Sequence, residues 1–337
     1  MMNLKERFDL VKRNTQEIIT ETELRRLLEE KKHPTAYIGY APTSTLHSGH
    51  LIPILKIGDF LKAGFKFKFL IANLHAHLDD RKSPWYLLDA RSTYYQEMIL
   101  AIFESLKIDT SGLVFVKGSD FQLSSEYIAD VLRMSTELTS KRALHSASEV
   151  CRIENPKVST LIYPIMQALD EQYLDVDVQF GGMDQRKIFV MAREYLPKLR
   201  YKSRVEVMTP LLPGLTGGKM SSSEIKSKID LLDSEKEVER KINGAYCKEG
   251  EIKDNGVLAF VEYFLFPYKG KLKIERAKKF GGDLIYENYK ELERDFVKKK
   301  LHPADLKNCV SRELSTLLEP VRKKFEKKEK LLKEAYP

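Results

Sequence analysis

Between residues 36 and 208, short apolar runs alternate with longer stretches whose apolar residues recur at helical spacing, and this leaves few architectures open. Residues 36–40 (AYIGY), 67–72 (FKFLIA), 113–116 (LVFV) and 176–180 (VDVQF) read as buried strands. Residues 49–62, 87–106 and 183–195 carry the helical pattern between them. A helix between two strands returns the chain to the same end of the sheet, so the strands pair in parallel. The expected fold class is α/β, a doubly wound, Rossmann-like parallel sheet. In such sheets ligands sit beyond the carboxyl ends of the strands, where loops enter helix N-termini.

Two helices are expected as an insertion at 124–151. After the Pro- and Gly-containing stretch 209–218 the chain becomes charged and mostly helical, with helices expected at 234–241, 257–264, 289–300 and 303–318. The expected division is a catalytic domain over 1–228 and a smaller, mostly helical domain over 229–337. The run 322–333 alternates Lys with Glu and keeps apolar Val321, Phe325, Leu331 and Leu332, so it reads as the solvated face of a last helix rather than a phosphate-binding strip.

Composition narrows the setting. No apolar run approaches the roughly 18 residues that span a bilayer, and the charged start lacks a signal peptide's apolar stretch, so a cytoplasmic protein with no membrane partner is expected. Cys151, Cys247 and Cys309 form no CxxC pair, which argues against a disulfide framework or a Cys-rich zinc site. A net charge of +8 suits an anionic partner and equally an ordinary solvated surface.

Two segments carry the chemistry. Thr45-Leu46-His47-Ser48-Gly49-His50 follows the first buried strand and opens a helix, offering backbone N–H groups, a positive dipole end and two imidazoles to a polyphosphate. Gly49 leaves room for a base to approach the backbone. Gly217-Gly218-Lys219-Met220-Ser221-Ser222-Ser223 puts an ammonium and several hydroxyls on a glycine-hinged loop, suited to charge developing on phosphate. Each alone is weak. Together, in this order, they resemble the HIGH and KMSKS signatures of class I aminoacyl-tRNA synthetases.

The similarity extends to the tyrosyl-tRNA synthetases of archaeal and eukaryotic type over nearly the whole chain. Tyr37-Ile38-Gly39, Tyr163-Pro164-Ile165-Met166-Gln167-Ala168-Leu169-Asp170 and Gly181-Gly182-Met183-Asp184-Gln185-Arg186-Lys187 resemble that family's substrate segments. Phe280-Gly281-Gly282-Asp283 and His302-Pro303-Ala304-Asp305 resemble its anticodon-binding domain. Spacings of four and three place Tyr163, Gln167 and Asp170 on one helix face.

The resemblance implies an enzyme that activates L-tyrosine with ATP and charges tRNA(Tyr). It implies that Tyr163, Gln167 and Gln185 bind the α-amino group, while Tyr37 and Asp170 bind the phenolic hydroxyl. It assigns His47 and His50 to ATP and the transition state, Gly49, Met220, Ser221, Ser222 and Ser223 to ATP binding, Asp184 to the ribose, and Lys219 to the departing pyrophosphate. Arg186 and Lys187 would meet the acceptor stem, while Phe280, His302, Pro303 and Asp305 would meet the anticodon. Mg²⁺ would arrive with ATP, without an identified protein ligand, and the family implies a homodimer with the 124–151 helices at the two-fold.

Some positions depart from the pattern: Ser48 stands for an aliphatic residue, Asn73 for a frequent Asp, Leu144 for an Arg of some archaeal relatives, and Glu224 for a frequent Lys. Three other readings compete. His75-Ala76-His77-Leu78-Asp79-Asp80 resembles the metal ligands of the metallo-β-lactamase fold, with Asp80 in place of the last His. A catalytically silent RNA-binding relative would need a broken ATP site, and a tryptophanyl-tRNA synthetase would share the fold.

Overall fold

The computed structural model describes residues 2–151, 154–217 and 228–337. Its main sheet has six strands: β1 (Glu17–Ile19), β2 (Thr35–Tyr40), β3 (Lys66–Ile71), β4 (Leu113–Lys117), β5 (Val178–Gly182) and β6 (Val205–Thr209). Their spatial order is β1-β6-β5-β2-β3-β4, parallel throughout except for β1, which pairs antiparallel with β6. The chain winds outward from β2 through β3 to β4, then resumes on the other side with β5 and β6. The order therefore reverses between β2 and β5, where a doubly wound sheet opens a crevice.

Helices α1 (Leu4–Lys12) and α2 (Glu21–Glu30) flank β1, and α3 (Leu51–Lys62) joins β2 to β3. Next come α4 (Asn73–Leu78) and α5 (Leu88–Ser105) before β4, then α6 (Ser125–Glu137), α7 (Ser140–Ala147) and α8 (Val158–Tyr173) before β5, and α9 (Arg186–Tyr195) before β6. Phe60 of α3 packs against Phe67 of β3 and Phe180 of β5, the two strands that flank β2, with ring centroids 5.5 and 5.3 Å away. All three rings are buried, which contributes about 1.5–3 kcal/mol each relative to exposure. The inserted α6 and α7 cap with Ser124 and Thr139, whose side chains accept from Tyr127 and Arg142 amides, so both start where polar caps stand.

The remaining elements are α10 (Glu235–Asn243), α11 (Gly256–Phe260), α12 (Phe266–Lys269), β7 (Leu272–Ile274), β8 (Leu284–Tyr286), α13 (Tyr289–Val297), α14 (Pro303–Glu326) and α15 (Glu329–Ala335). One apolar cluster runs from the sheet through α3 and α5 into α11, α14 and α15. Within the basic run, Val321 and Phe325 are buried and Lys324 and Lys328 pair with Glu104 and Glu97 of α5, as a packed, solvent-edged helix requires.

Several local expectations shift. Strand β5 starts at Val178 rather than residue 176; just before it, the Asp177 side chain accepts from the Thr35 backbone amide at 2.9 Å. β1, β6 and the β7–β8 hairpin are strands the periodicity did not mark; β1 and the hairpin strands have three residues each, too few to display alternation. Residues 73–78, directly after β3, form the short helix α4. The helix expected at 303–318 continues to Glu326, with Pro320 inside it.

Candidate active site

A cleft of about 660 Å³ opens at the carboxyl ends of β2 and β5, at the reversal point of the sheet. It is lined by Tyr37, His47, Gly49, His50, Tyr163, Gln167, Asp170, Asp184 and Gln185, among others. Nine positions singled out from sequence thus converge on one concavity, although they come from four separate segments.

Asp170 sits on α8 with its side chain inward and about 1% exposed. Its carboxylate accepts from Gln122 Nε2 at 2.7 Å and from the Tyr127 hydroxyl at 2.8 Å. Burial pushes its pKa up to about 7, opposed by those two donors. Tyr37, buried on β2, faces the same floor; burial and then the Asp170 charge hold its hydroxyl protonated, well above the ordinary phenol range. Gln179 of β5 lies beneath it, between two fully buried carboxyls, Glu171 and Glu206, both pushed up by burial. With its amide nitrogen toward those carboxyls, Gln179 accepts the Tyr37 hydroxyl proton at 2.6 Å.

One helical turn before Asp170, Gln167 Nε2 donates to Gln185 Oε1 at 2.9 Å, joining α8 to the turn after β5. Tyr163 is buried against the edge of His75, with centroids 4.7 Å apart. Asp184 stands in the 3₁₀ turn Met183–Gln185, immediately beyond β5.

At the other wall, His47 Nδ1 accepts from the Gly49 amide at 3.2 Å, which places the ring proton on Nε2. The His50 ring stands 4.2 Å from it, edge to face, with Nδ1 3.1 Å from the His47 amide. Burial lowers the pKa to about 2 for His47 and about 4 for His50, so both imidazoles are neutral near neutral pH. The first signature is tied to the chain that follows the second. Ser48 N–H donates to Ile229 O at 2.8 Å, Leu231 N–H donates to Leu46 O at 3.1 Å, and the Thr45 hydroxyl bonds to Asp230. Lys219, Met220, Ser221, Ser222 and Ser223 lie outside the described residues, as does Glu224.

Other expected residues lie away from the cleft floor. Arg186 is paired with Glu17 of β1 at 2.6 Å, and Lys187 reaches Ser148 Oγ at 2.8 Å and Glu149 at 3.1 Å, both at the start of α9. Phe280 is 61% exposed, with the Lys279 ammonium 5.0 Å above its ring. His302 caps α14 by accepting from the Ala304 amide, Pro303 opens the helix, and Asp305 falls in its first turn. Arg276 joins these two sets by donating to Gly282 O at 2.9 Å and to Lys300 O at 3.2 Å.

Asn73 is spent internally: Oδ1 accepts from the Ser119 amide at 2.9 Å and Nδ2 donates to Ser119 Oγ at 3.0 Å, closing the β3 end onto the β4 end. The metal-site alternative loses its ligands, since His75 and His77, two positions apart on α4, diverge by about 200°. His75 turns to Asp170 and Tyr163, while His77 faces Ser83 O and Trp85. Gln122, Tyr127 and Gln179, which brace the floor, carried no sequence signal.

A family model for class I tRNA synthetases (W and Y) matches residues 29–319. Among curated proteins, the tyrosine--tRNA ligase of Haloarcula marismortui is 49% identical over 341 residues, spanning 100% of this chain and 98% of that protein. The cytoplasmic tyrosine--tRNA ligase of Danio rerio is 48% identical over 98% of this chain, which spans 63% of its length. Among solved structures, tyrosyl-tRNA synthetase with L-tyrosine from Archaeoglobus fulgidus superposes with a TM-score of 0.91 at 44% identity, covering 96% of this chain and 99% of that one. The enzyme from Pyrococcus horikoshii gives 0.92 at 33% identity, covering 99% of each. A buried carboxylate and phenol at the floor, imidazoles at the wall and these full-length likenesses place the chain in the class I tRNA synthetases of the W and Y family, on its archaeal and eukaryotic tyrosyl branch.

Proposed function

We propose that this chain is a tyrosine–tRNA ligase. It joins L-tyrosine to ATP as tyrosyl-adenylate, releasing pyrophosphate, and passes the tyrosyl group to the 3′-terminal adenosine of tRNA(Tyr). The observation that carries this reading is the buried pair Asp170 and Tyr37 at the cleft floor. A phenol can donate there, whereas phenylalanine strands buried polar groups and an indole presents its N–H elsewhere.

Activation is attack of tyrosine's own carboxylate on the α-phosphorus: a carboxylate–phosphorus bond forms and the bond to the β-phosphate oxygen breaks. No protein nucleophile takes part, so the chain's task is positioning and charge stabilisation. Tyr163, Gln167 and Gln185 hold the α-amino group, and Asp184 takes the ribose. His47 and His50 donate neutral N–H groups to the phosphates, Gly49 admits the base, and Lys219 with Met220–Ser223 follows the pyrophosphate. Mg²⁺ enters as part of the MgATP substrate. In the second step a ribose hydroxyl of the tRNA attacks the adenylate carbonyl and AMP leaves.

Residues 1–228 form the catalytic unit and 229–337 the anticodon-reading unit. In the latter, Phe280 stacks on a base and Asp305, beside His302 and Pro303, accepts from a base edge. Arg186 and Lys187 serve the acceptor stem. A homodimer is supported by the exposed apolar residues Ile128 and Leu132 on α6, with Leu123 and Val114 also exposed. A cytoplasmic setting is supported by the naming of the eukaryotic relatives; no helix among the described residues is long and apolar enough to cross a membrane. The test is amino-acid-dependent ATP–pyrophosphate exchange with all twenty amino acids. Exchange with tyrosine alone is expected, and exchange with tryptophan but not tyrosine would overturn the assignment.

A further inference from the structure

The loop from β2 to His47 has little regular structure of its own, yet it must aim the imidazoles. Its Ser44 carbonyl oxygen accepts two phenolic hydroxyls, from Tyr95 of α5 at 2.7 Å and from Tyr336, just beyond α15, at 2.8 Å. A carbonyl has two lone pairs, so these donors saturate it and fix the plane of the 44–45 peptide. Arg91 supports the same junction. Its Nε donates to Ala335 O at 2.9 Å, its Nη1 reaches Lys82 O at 2.9 Å and Thr43 O at 3.4 Å, and its guanidinium lies 4.6 Å from the Tyr336 ring centroid. The Tyr94 ring meets Tyr336 edge-on at 5.2 Å. Arg91 and Ala335 are buried.

We propose that Tyr336, 292 positions along the chain from Ser44, is a positioning residue for ATP: with Tyr95 it orients the Ser44 carbonyl and so sets the approach of His47 to the nucleotide. The inference rests on the assignment of His47 and His50 to ATP. A mere tether for α15 would need neither hydroxyl on Ser44, because ring packing and the Arg91–Ala335 bond already hold that helix. Thr43 and Ser44 line the cleft themselves, so a tilt of this peptide is felt at the nucleotide rather than at Asp170 on the cleft floor.

The experiment is tyrosine-dependent ATP–pyrophosphate exchange on the full chain, with the KM for ATP and the KM for tyrosine measured separately. Tyr336→Phe keeps the ring and loses one bond, and is expected to raise the KM for ATP about three- to tenfold while the KM for tyrosine stays put. Tyr95→Phe is expected to do the same, and Lys333→Ala, exposed on α15, to change neither. An unchanged KM for ATP in both phenylalanine variants overturns the inference. So does a rise in both constants together with a lower melting temperature, the signature of a structural role alone. Wild-type protein without tyrosine-dependent exchange would instead defeat the proposed function, and the inference with it.

Discussion

The Tyr127 hydroxyl lies 2.8 Å from Asp170 Oδ1 and 2.7 Å from Met166 O, so a phenol from the inserted α6 braces the carboxylate on α8. Gln122 supplies a second donor to the same oxygen, Oδ1. Oδ2 has no hydrogen bond from these two, and the nearest cation candidate, His75 Nε2, is 3.9 Å away and neutral near pH 7 because burial lowers it to about 4. Asp170 is thus held by one oxygen and leaves the other for a ligand hydroxyl.

Asp170→Asn should therefore lower kcat/KM for tyrosine by roughly 10- to 150-fold, the worth of one hydrogen bond to a charged acceptor. Activation of phenylalanine should fall less or rise, because the stranded charge is gone. Exchange assays with both amino acids measure the ratio.

The raised pKa of Asp170 also predicts a pH signature in the ligand-free protein. As pH rises through about 4 the unfolded chain loses this proton, while the folded carboxyl keeps it to about 7. Its stabilising contribution is complete below that window and lost across it. His47, His50 and His75 act in the opposite sense, since burial lowers their pKa and stability falls as pH drops below about 6.5. The discriminating quantity is the difference between wild type and Asp170→Asn in urea midpoint, which should shift against the wild type from about pH 4 to about pH 7 and then level off.

The same lowered values make the imidazoles neutral donors rather than ion-pair partners. kcat/KM for ATP should show no ionisation attributable to His47 or His50 between about pH 6 and 8. Loss of the Nε2–H in His47→Ala should reduce kcat by about 10²-fold, with the pH profile unchanged in shape.

Phe280→Ala separates the two halves of the reaction. The ring is exposed and packs on little, so the melting temperature should hold. Loss of one base stack, about 1–3 kcal/mol, should raise the KM for tRNA roughly fivefold or more while pyrophosphate exchange is untouched.

Gly256→Ala tests the seam beside the second signature. A Cβ there would lie 2.6 Å from Gly214 O and 2.9 Å from Pro213 O, both backbone atoms that cannot swing aside. Destabilisation of about 1–3 kcal/mol is expected by chemical denaturation.

The periodic middle of the molecule is legible in the chain's apolar pattern, and the motifs it shares with tyrosyl-tRNA synthetases mark residues that line the cleft. Strands such as 36–40 are apolar on both faces and helices such as 186–195 bury one stripe, while spacings of four and three on the helix marked by the family resemblance align Tyr163, Gln167 and Asp170. Tertiary structure alone decided what holds them. Gln122, Tyr127 and Gln179 reach Asp170 and Tyr37 across 48, 43 and 142 positions, and no periodicity records a partner at such distances. It likewise spent Asn73 on Ser119 and brought Tyr336 onto Ser44. The physical reason is the same in each case: a buried donor must find an acceptor, and which one lies within 3 Å is fixed only when the chain is packed.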